Sequence, residues 1–301
     1  MTAKVICVGI AVLDLIYGVE KLPSTDGKLN ALSYIESGGG MAANAAVAIQ
    51  RLGGEGSWCG RLGEDDIGRR IRDGLLVENV GVRLSRTFKE VSSPHSIVLV
   101  DREGNRALIL YRPASLDPDP SWLPLSEILN FDAVLTDNRW IEGAVRVLSA
   151  AREKGIPGVL DADSASDKST LSAVAAASHV IFSKDGLCEL FDVDDPAVGL
   201  RQAARYAPFA AVTMGAEGVM WSDDGGSVQS MSAFPILAKE TVGAGDIFHG
   251  AFTLALVEGA GEEGALRFAS AAAALKCARE GGRSSFPSRA EVEDFLSANN
   301  R

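Results

Sequence analysis

Cysteine is scarce and dispersed: four in 301 residues, at Cys7, Cys59, Cys188 and Cys277. No two form a CxxC pair and no histidine stands at ligand spacing, so a disulfide scaffold and a zinc site are both excluded. Positive charge is also short, with 29 Lys+Arg against 40 Asp+Glu and a net charge of −11. Such a surface repels nucleic acid and anionic membrane, and neither is an expected partner. Any anionic ligand must therefore be held by a local group of cations or amides. Long hydrophobic runs are missing too. The run Val5–Leu13 after Lys4 ends at Asp14 with no small-residue cleavage site behind it. It is too short to cross a bilayer and reads as a buried strand of a cytoplasmic protein. Apolar residues at 47% and charged residues at 23% are ordinary globular composition, which excludes intrinsic disorder and allows a core without covalent staples.

Short β-branched runs alternate with Ala/Leu-rich stretches, the pattern of a parallel sheet with crossover helices. Strands are expected at Val5–Ala11, Gly56–Gly60, Ala133–Thr136, Gly158–Asp161, His179–Ser183 and Phe209–Thr213. Helices are expected at Met41–Leu52, Asp65–Val77, Glu142–Lys154, Leu171–Ala177 and Ala197–Tyr206. The C-terminal third reads as nearly all helix, over Ala244–Glu258, Glu263–Ala278 and Arg289–Ala298. Two stretches break the rhythm, Ile16–Ser37 and Ser92–Tyr111, with period-two apolar spacing and turn residues but no helix signal. Arg102-Glu103-Gly104-Asn105 reads as a hairpin loop. These two insertions, about 15–37 and 92–112, are expected to build a small β lid on a single α/β domain spanning 1–301. Proline-rich 113–124 is a stiff connector.

The most specific signal is Glu240-Thr241-Val242-Gly243-Ala244-Gly245-Asp246, followed directly by an apolar helix. Small residues at a helix start let backbone N–H groups approach an anion, and the helix dipole favours negative charge there. An aspartate in that first turn can take a proton from an alcohol beside the same anion. An amide cradle for Gly243, Ala244 and Gly245 with Asp246 as base is what phosphoryl transfer to a hydroxyl requires.

Gly243-Ala244-Gly245-Asp246, together with Gly38-Gly39-Gly40-Met41-Ala42-Ala43-Asn44, resembles the ribokinase-like (PfkB) sugar kinases. Asp14, Thr213-Met214-Gly215-Ala216-Glu217-Gly218 and Gly281-Gly282-Arg283-Ser284-Ser285-Phe286-Pro287 agree in order and spacing over essentially the whole chain. The resemblance implies a three-layer α/β/α Rossmann-like core with a β lid, ATP with Mg²⁺ as phosphoryl donor, and Asp246 as base. It implies that Asp14, Gly39, Gly40 and Asn44 hold sugar hydroxyls and that the lid forms a homodimer contact. Ser183, Lys184, Thr213, Gly215, Gly218 and Gly282 fall on the nucleotide side. Gly281-Gly282 either line the nucleotide pocket or belong to a monovalent-cation loop. Glu240 and Val242, where the family more usually has Asp and Thr, leave K⁺ dependence open. Where the family usually shows Asn-x-x-Glu to organise Mg²⁺, this chain has Ser183-Lys184-Asp185-Gly186. Asp185 is the candidate for that role, with Asp161 or Asp163 helping through water.

Arg139 follows a strand end on the edge that carries Asp14, and an arginine suits a bidentate grip on an anion. Lys28 in one lid segment and Tyr111-Arg112 in the other can close over the same group, which favours an anionic substrate. Within the family the chain is most similar to 6-deoxy-6-sulfofructose kinases. The shared stretches include Asp137-x-Arg139-Trp140, Phe248-His249-Gly250 and Gly281-Gly282-Arg283. Those kinases grip the sulfonate with a lid lysine, a lid asparagine and the arginine before the tryptophan. Lys28 and Arg139 match, but the asparagine position is Leu110. Tyr111-Arg112 instead resembles 2-keto-3-deoxygluconate kinases, whose anion is a carboxylate. Trp140 is expected to wall the sugar pocket, and His249 to be a packed helix histidine. The reading is an ATP-dependent kinase acting on a primary hydroxyl of a ketose-type, anionic sugar, at O1 for sulfofructose. Fructokinase and ribokinase remain alternatives, as does a non-catalytic sugar or nucleotide sensor that ADP release would distinguish.

Overall fold

The computed structural model describes residues 2–116, 118–164, 168–222 and 226–299. In chain order its strands are β1 (Lys4–Val8), β2 (Val12–Val19), β3 (Ala31–Gly39), β4 (Glu55–Cys59), β5 (Arg61–Gly63), β6 (Arg86–Phe88) and β7 (His95–Val100). They continue with β8 (Arg106–Tyr111), β9 (Ala133–Asp137), β10 (Gly158–Ala162), β11 (His179–Ser183), β12 (Phe209–Thr213), β13 (Val219–Ser222) and β14 (Val228–Met231). The main sheet runs β14-β13-β12-β11-β10-β9-β1-β4. Its six strands from β12 to β4 are parallel, as the alternating pattern requires. Strands β9 and β10 are buried at every residue, which is why they read as unbroken apolar runs rather than alternations.

Helices cover both faces. Val5, Cys7 and Ile181 pack under the helices Met41–Arg51, Ala244–Val257 and Gly261–Cys277. Leu160, Val180 and Phe182 pack against Leu148, Leu187 and Leu200 on the opposite side. This is the three-layer core expected from the sequence. Cys7 and Cys59 are free and buried, and burial pushes both thiols up, Cys59 to about 12. No helix among the described residues is long and apolar enough to cross a membrane.

The two irregular stretches meet in a second sheet of order β3-β2-β7-β8. Its last pair is a hairpin closed by Asp101, whose carboxylate accepts from the Glu103 and Asn105 N–H groups. Leu13 is buried in the main core and Leu15 packs against it, so one face of this sheet rests on the body. The alternate residues Asp14 and Ile16 occupy the other face.

Three features depart from the sequence reading. The C-terminal third is not all helix, since β13 and β14 extend the main sheet antiparallel to β12. Each is only four residues long, too short for a period to show. The helix Lys184–Phe191 follows β11 directly, where no helix was expected. Ser183 is its cap, its hydroxyl accepting from Gly186 N at 3.0 Å. Trp140 turns inward: it stacks on Trp122 at 5.7 Å, carries Arg61 over its ring and donates to the Pro118 carbonyl. It is a core residue under the sheet edge.

Candidate active site

The site forms where the C-terminal ends of the parallel strands meet the second sheet. The link to the fold is Asp137, fully buried at the end of β9. Its carboxylate accepts from Ile10 N at 2.7 Å, Ala42 N at 3.2 Å and Arg139 N at 2.9 Å. One side chain thus fixes the chain after β1, the start of the helix Met41–Arg51 and the segment after β9. Burial raises its carboxyl above the usual carboxylate range, although those three N–H groups pull it down.

Asp14 points from β2 into the cleft and accepts from Ser96 Oγ on the neighbouring strand at 2.6 Å. Burial raises its carboxyl, with Ser96 and the Arg283 charge acting against that. The Gly38-Gly39-Gly40 run is a steric requirement. A Cβ on Gly39 would lie 2.4 Å from Asp14 Oδ2, and one on Gly38 would lie 1.8 Å from Arg283 Nη1. The glycines let Asp14 and Arg283 lie flat against the backbone that leads into Asn44.

Asn44 joins the two ends of the chain. Its Nδ2 donates to Asp246 Oδ2 at 2.5 Å, and its Oδ1 accepts from Arg283 Nε at 2.6 Å. Arg283 also donates to the Gly39 carbonyl at 3.1 Å. The predicted base, Asp246, sits in the first turn of the helix Ala244–Val257, after Gly243 at φ 78°. Burial lifts its carboxyl to about 6; Asn44 and the Arg283 charge pull it down, while Asp163 and Asp137 push it up. Ala244 N closes a turn onto the Thr241 carbonyl, so this expected cradle amide is taken. The Gly243, Gly245 and Asp246 N–H groups have no acceptor among the described residues.

Arg283 is the member of this network that the sequence reading did not assign. It is nine-tenths buried, and that burial lowers its guanidinium to about 10 despite the Asp246, Glu78 and Asp14 charges. A charged residue inside the otherwise small and polar stretch Gly281–Ser285 was the available signal.

Below Asp246 lies an acidic floor. Asp161 is 2% exposed at the end of β10. Burial first, then the charges of Asp246, Asp137 and Asp163, hold its carboxyl well above the usual range. His249 stands one turn after Asp246, with Nδ1 2.6 Å from the Gly245 carbonyl and Nε2 3.3 Å from Asp161 Oδ1. It is a packed residue, as expected, and it braces the helix start.

The nucleotide-side candidates gather at the ends of β11 and β12, where Ser183 and Thr213 are register partners. Thr213 Oγ1 donates to the Phe182 carbonyl, and Lys184 pairs with Glu217 at 3.8 Å across the turn that holds Gly215 and Gly218. Gly282 donates to Glu240 at 3.1 Å. Asp185 is exposed in the first turn of Lys184–Phe191; the crowded carboxylates are those of Asp137, Asp161, Asp163 and Asp246. Arg139 is not free to reach out in this state, since it donates to Asp163 Oδ2 at 2.8 Å and to the Ser164 carbonyl at 2.9 Å. Arg112 lies close enough to Arg139 that burial and this second cation lower its guanidinium, against Asp137 and Asp163. Tyr111 packs on His95 at 4.9 Å. Lys28 is exposed on the β2–β3 connection, and among the described residues no hydrogen bond or ion pair ties it to this network.

Because Arg283 holds the Asp246 carboxyl down, Arg283→Met is expected to move it above about 6. Carbon-13 titration of the aspartate carboxyls measures this, and an unchanged or lower value would contradict the network.

A family model described as pfkB family carbohydrate kinase matches residues 2–289. The ribokinase of Bacillus subtilis (strain 168) is 31% identical over 299 residues, covering 97% of this chain and 99% of that protein. The fructokinase of Klebsiella pneumoniae is 30% identical, covering 82% of each. A solved structure from Agrobacterium tumefaciens superposes with a TM-score of 0.93 at 35% identity over 99% of both chains. Arabidopsis thaliana ribokinase complexed with ribose and ATP superposes with a TM-score of 0.88 at 25% identity, over 98% of this chain and 99% of that one. With a helix-start aspartate beside unpaired amides and a second aspartate, Asp14, in the same cleft, the chain belongs to the pfkB family of carbohydrate kinases and is an ATP-dependent sugar kinase.

Proposed function

We propose that the acceptor is an anionic ketose-type sugar phosphorylated on a primary hydroxyl, with 6-deoxy-6-sulfofructose, taken at O1, as the leading candidate. The observation that supports this is Arg139 at the cleft, its guanidinium held by Asp163 and the Ser164 carbonyl, with the Arg112 charge felt alongside it. A guanidinium offers a bidentate grip to an anionic substituent, and a second cation nearby strengthens it. Arg139 exchanges its hold on Asp163 and Ser164 for the sugar anion, and Lys28 completes the grip when the lid closes. A second reading, 2-keto-3-deoxygluconate, is favoured by Tyr111-Arg112 and by Leu110 in the place of an asparagine. The 5-dehydro-2-deoxygluconokinase of Photobacterium profundum, 28% identical over 86% of this chain, is one relative whose named substrate is a sugar acid.

On this reading Asp14, Asn44 and the Gly39-Gly40 backbone orient the sugar. Asn44 holds Asp246 Oδ2, which leaves Oδ1 to take the hydroxyl proton. The free Gly243, Gly245 and Asp246 N–H groups face the transferring phosphoryl and stabilise its charge. Ser183, Thr213, Gly215 and Gly218 seat the nucleotide, and lid closure excludes water. Mg²⁺ held with ATP would supply neutralisation of phosphate charge. It takes one or two carboxylates with phosphates and water completing its shell. The neighbouring carboxylates of Asp161 and Asp163 would fit that need better than exposed Asp185.

The second sheet supports pairing with another copy of the chain. On the face of Asp14, Ile35, Ile16, Val98 and Leu108 form one cross-strand row. Ile35 is 60% and Leu108 56% exposed. A contiguous apolar row of that kind on an open sheet marks a contact surface, and a twofold axis lets one such row cover its twin.

Three outcomes test the proposal. Asp246→Ala is expected to lower kcat by about 10²–10⁴-fold with nucleotide binding kept. In the parent enzyme kcat/KM should rise through about pH 6 as that carboxyl ionises; near-normal turnover by the variant would refute the assignment. Arg139→Ala should weaken KM for sulfofructose or 2-keto-3-deoxygluconate far more than for fructose, and equal losses would exclude an anion clamp. Light scattering should show a dimer that Ile35→Asp converts to monomer; a monomeric parent protein would exclude pairing.

A further inference from the structure

The segment that carries the amide cradle begins at Glu240, and the segment that carries Arg283 begins at Gly281. One carboxylate oxygen binds the two together. Glu240 Oε2 accepts from Gly281 N at 3.0 Å, Gly282 N at 3.1 Å and Lys276 Nζ at 2.9 Å. Lys276 Nζ donates a second time, to the Glu240 carbonyl at 3.2 Å. The lysine is 0% exposed. It lies in the last turn of the helix Gly261–Cys277, whose negative end favours a cation. The Cys277 carbonyl accepts from Lys239 N and Glu240 N, so the ammonium is fixed against the backbone it serves.

Fully buried lysine is rare, because desolvation of the ammonium is unfavourable unless a partner charge is built around it. Here the partner responds. Burial alone would raise the Glu240 carboxyl, but the Lys276 hydrogen bond and charge, with the Gly282 and Gly281 N–H groups, hold it below the usual range. The other carboxylate oxygen faces Arg106 of β8 at 3.7 Å. Glu240 therefore stands between two cations.

Resemblance to the family raises K⁺ as an occupant of this junction, and the donor set does not fit it. A monovalent metal ion needs carboxylate and carbonyl oxygens whose lone pairs are free. The Glu240 carboxylate and carbonyl already accept from Lys276 Nζ. An ion placed against them would touch a buried ammonium of like charge, with Arg106 on the far side.

We infer that the Lys276 ammonium is a built-in replacement for a monovalent cation, so that phosphoryl transfer by this enzyme does not require K⁺. Lys276 is a positioning residue. It neutralises Glu240 and holds residues 240–246 against 281–285, which keeps the Gly243, Gly245 and Asp246 amides and the Arg283 guanidinium at one cleft. The inference rests on the reading of residues 240–246 as the phosphoryl-transfer segment.

The test uses the full-length enzyme with ATP and its best sugar, at constant ionic strength, in KCl, NaCl or tetramethylammonium chloride. The expected result is kcat/KM equal within about twofold in all three salts, with no K⁺-specific rise in the thermal midpoint. Several-fold activation by K⁺ over tetramethylammonium, or a midpoint that climbs with K⁺ alone, overturns it. Lys276→Ala opens the junction. Its activity in tetramethylammonium should fall by at least about tenfold and recover in part with K⁺ or ammonium. Full activity of that variant without either ion also overturns it. Should the variant not fold, the salt series on the parent enzyme decides. Absence of turnover with every sugar would defeat the functional reading instead, while the thermal midpoint in K⁺ would still report on the ion.

Discussion

Everything in the cleft depends on one amide, Asn44, holding a cation with its oxygen and an anion with its nitrogen. Arg283 and Asp246 lie 239 and 202 residues away in sequence, and neither is stable alone in a half-dry cleft. An unpaired buried charge is among the more destabilising features a fold can contain. With Asn44 between them, the guanidinium and the carboxylate are each hydrogen-bonded and remain near enough to act on each other's protonation. The glycines at 38 and 39 follow from this, since any side chain there would strike Arg283 or Asp14.

The second constraint is electrostatic. An acidic chain has gathered carboxylates at the ends of β9 and β10, where Asp137 and Asp161 are buried. Asp137 is satisfied by three backbone N–H groups and works as a structural clip. Asp161 and Asp246 are less well compensated: burial first, and neighbouring carboxylates second, raise both carboxyls. Arg139 is tied to a neighbouring carboxylate, Asp163, and Arg112 feels the charges of Arg139, Asp137 and Asp163 together. Carboxylates and guanidinium groups thus stand together in one cleft, with Arg283 acting on Asp246 and Arg139 bound to Asp163.

Much of the fold was legible because parallel strands buried on both faces leave unbroken apolar runs; Ala133–Thr136, His179–Ser183 and Phe209–Thr213 show this. The second sheet was legible through its period-two spacing. The pieces that were not, β13, β14 and the helix after Ser183, are short elements whose formation depends on a neighbour already in place. Trp140 shows the same limit from the other side. Its position beside Arg139 pointed to the cleft, but stacking on Trp122 and burial under Arg61 turned it into the core.

Within the site, local chemistry and long-range contact divide cleanly. A glycine-flanked aspartate at a helix start announces an anion cradle and a base from the sequence alone, since both properties belong to one helical turn. Asn44 likewise stands at a helix start, whereas Asp14, expected beyond the end of the first strand, lies near the start of β2. The roles of Arg283 and Lys276 follow from no local pattern. Each is one charged side chain whose function depends on which carboxylate the folded chain lays against it, Asp246 through Asn44 in one case and Glu240 in the other. Sequence determined the architecture and the small, acidic character of the helix start at 243–246; only packing decided which cations stand beside it, because a buried charge takes its meaning from partners distant along the chain.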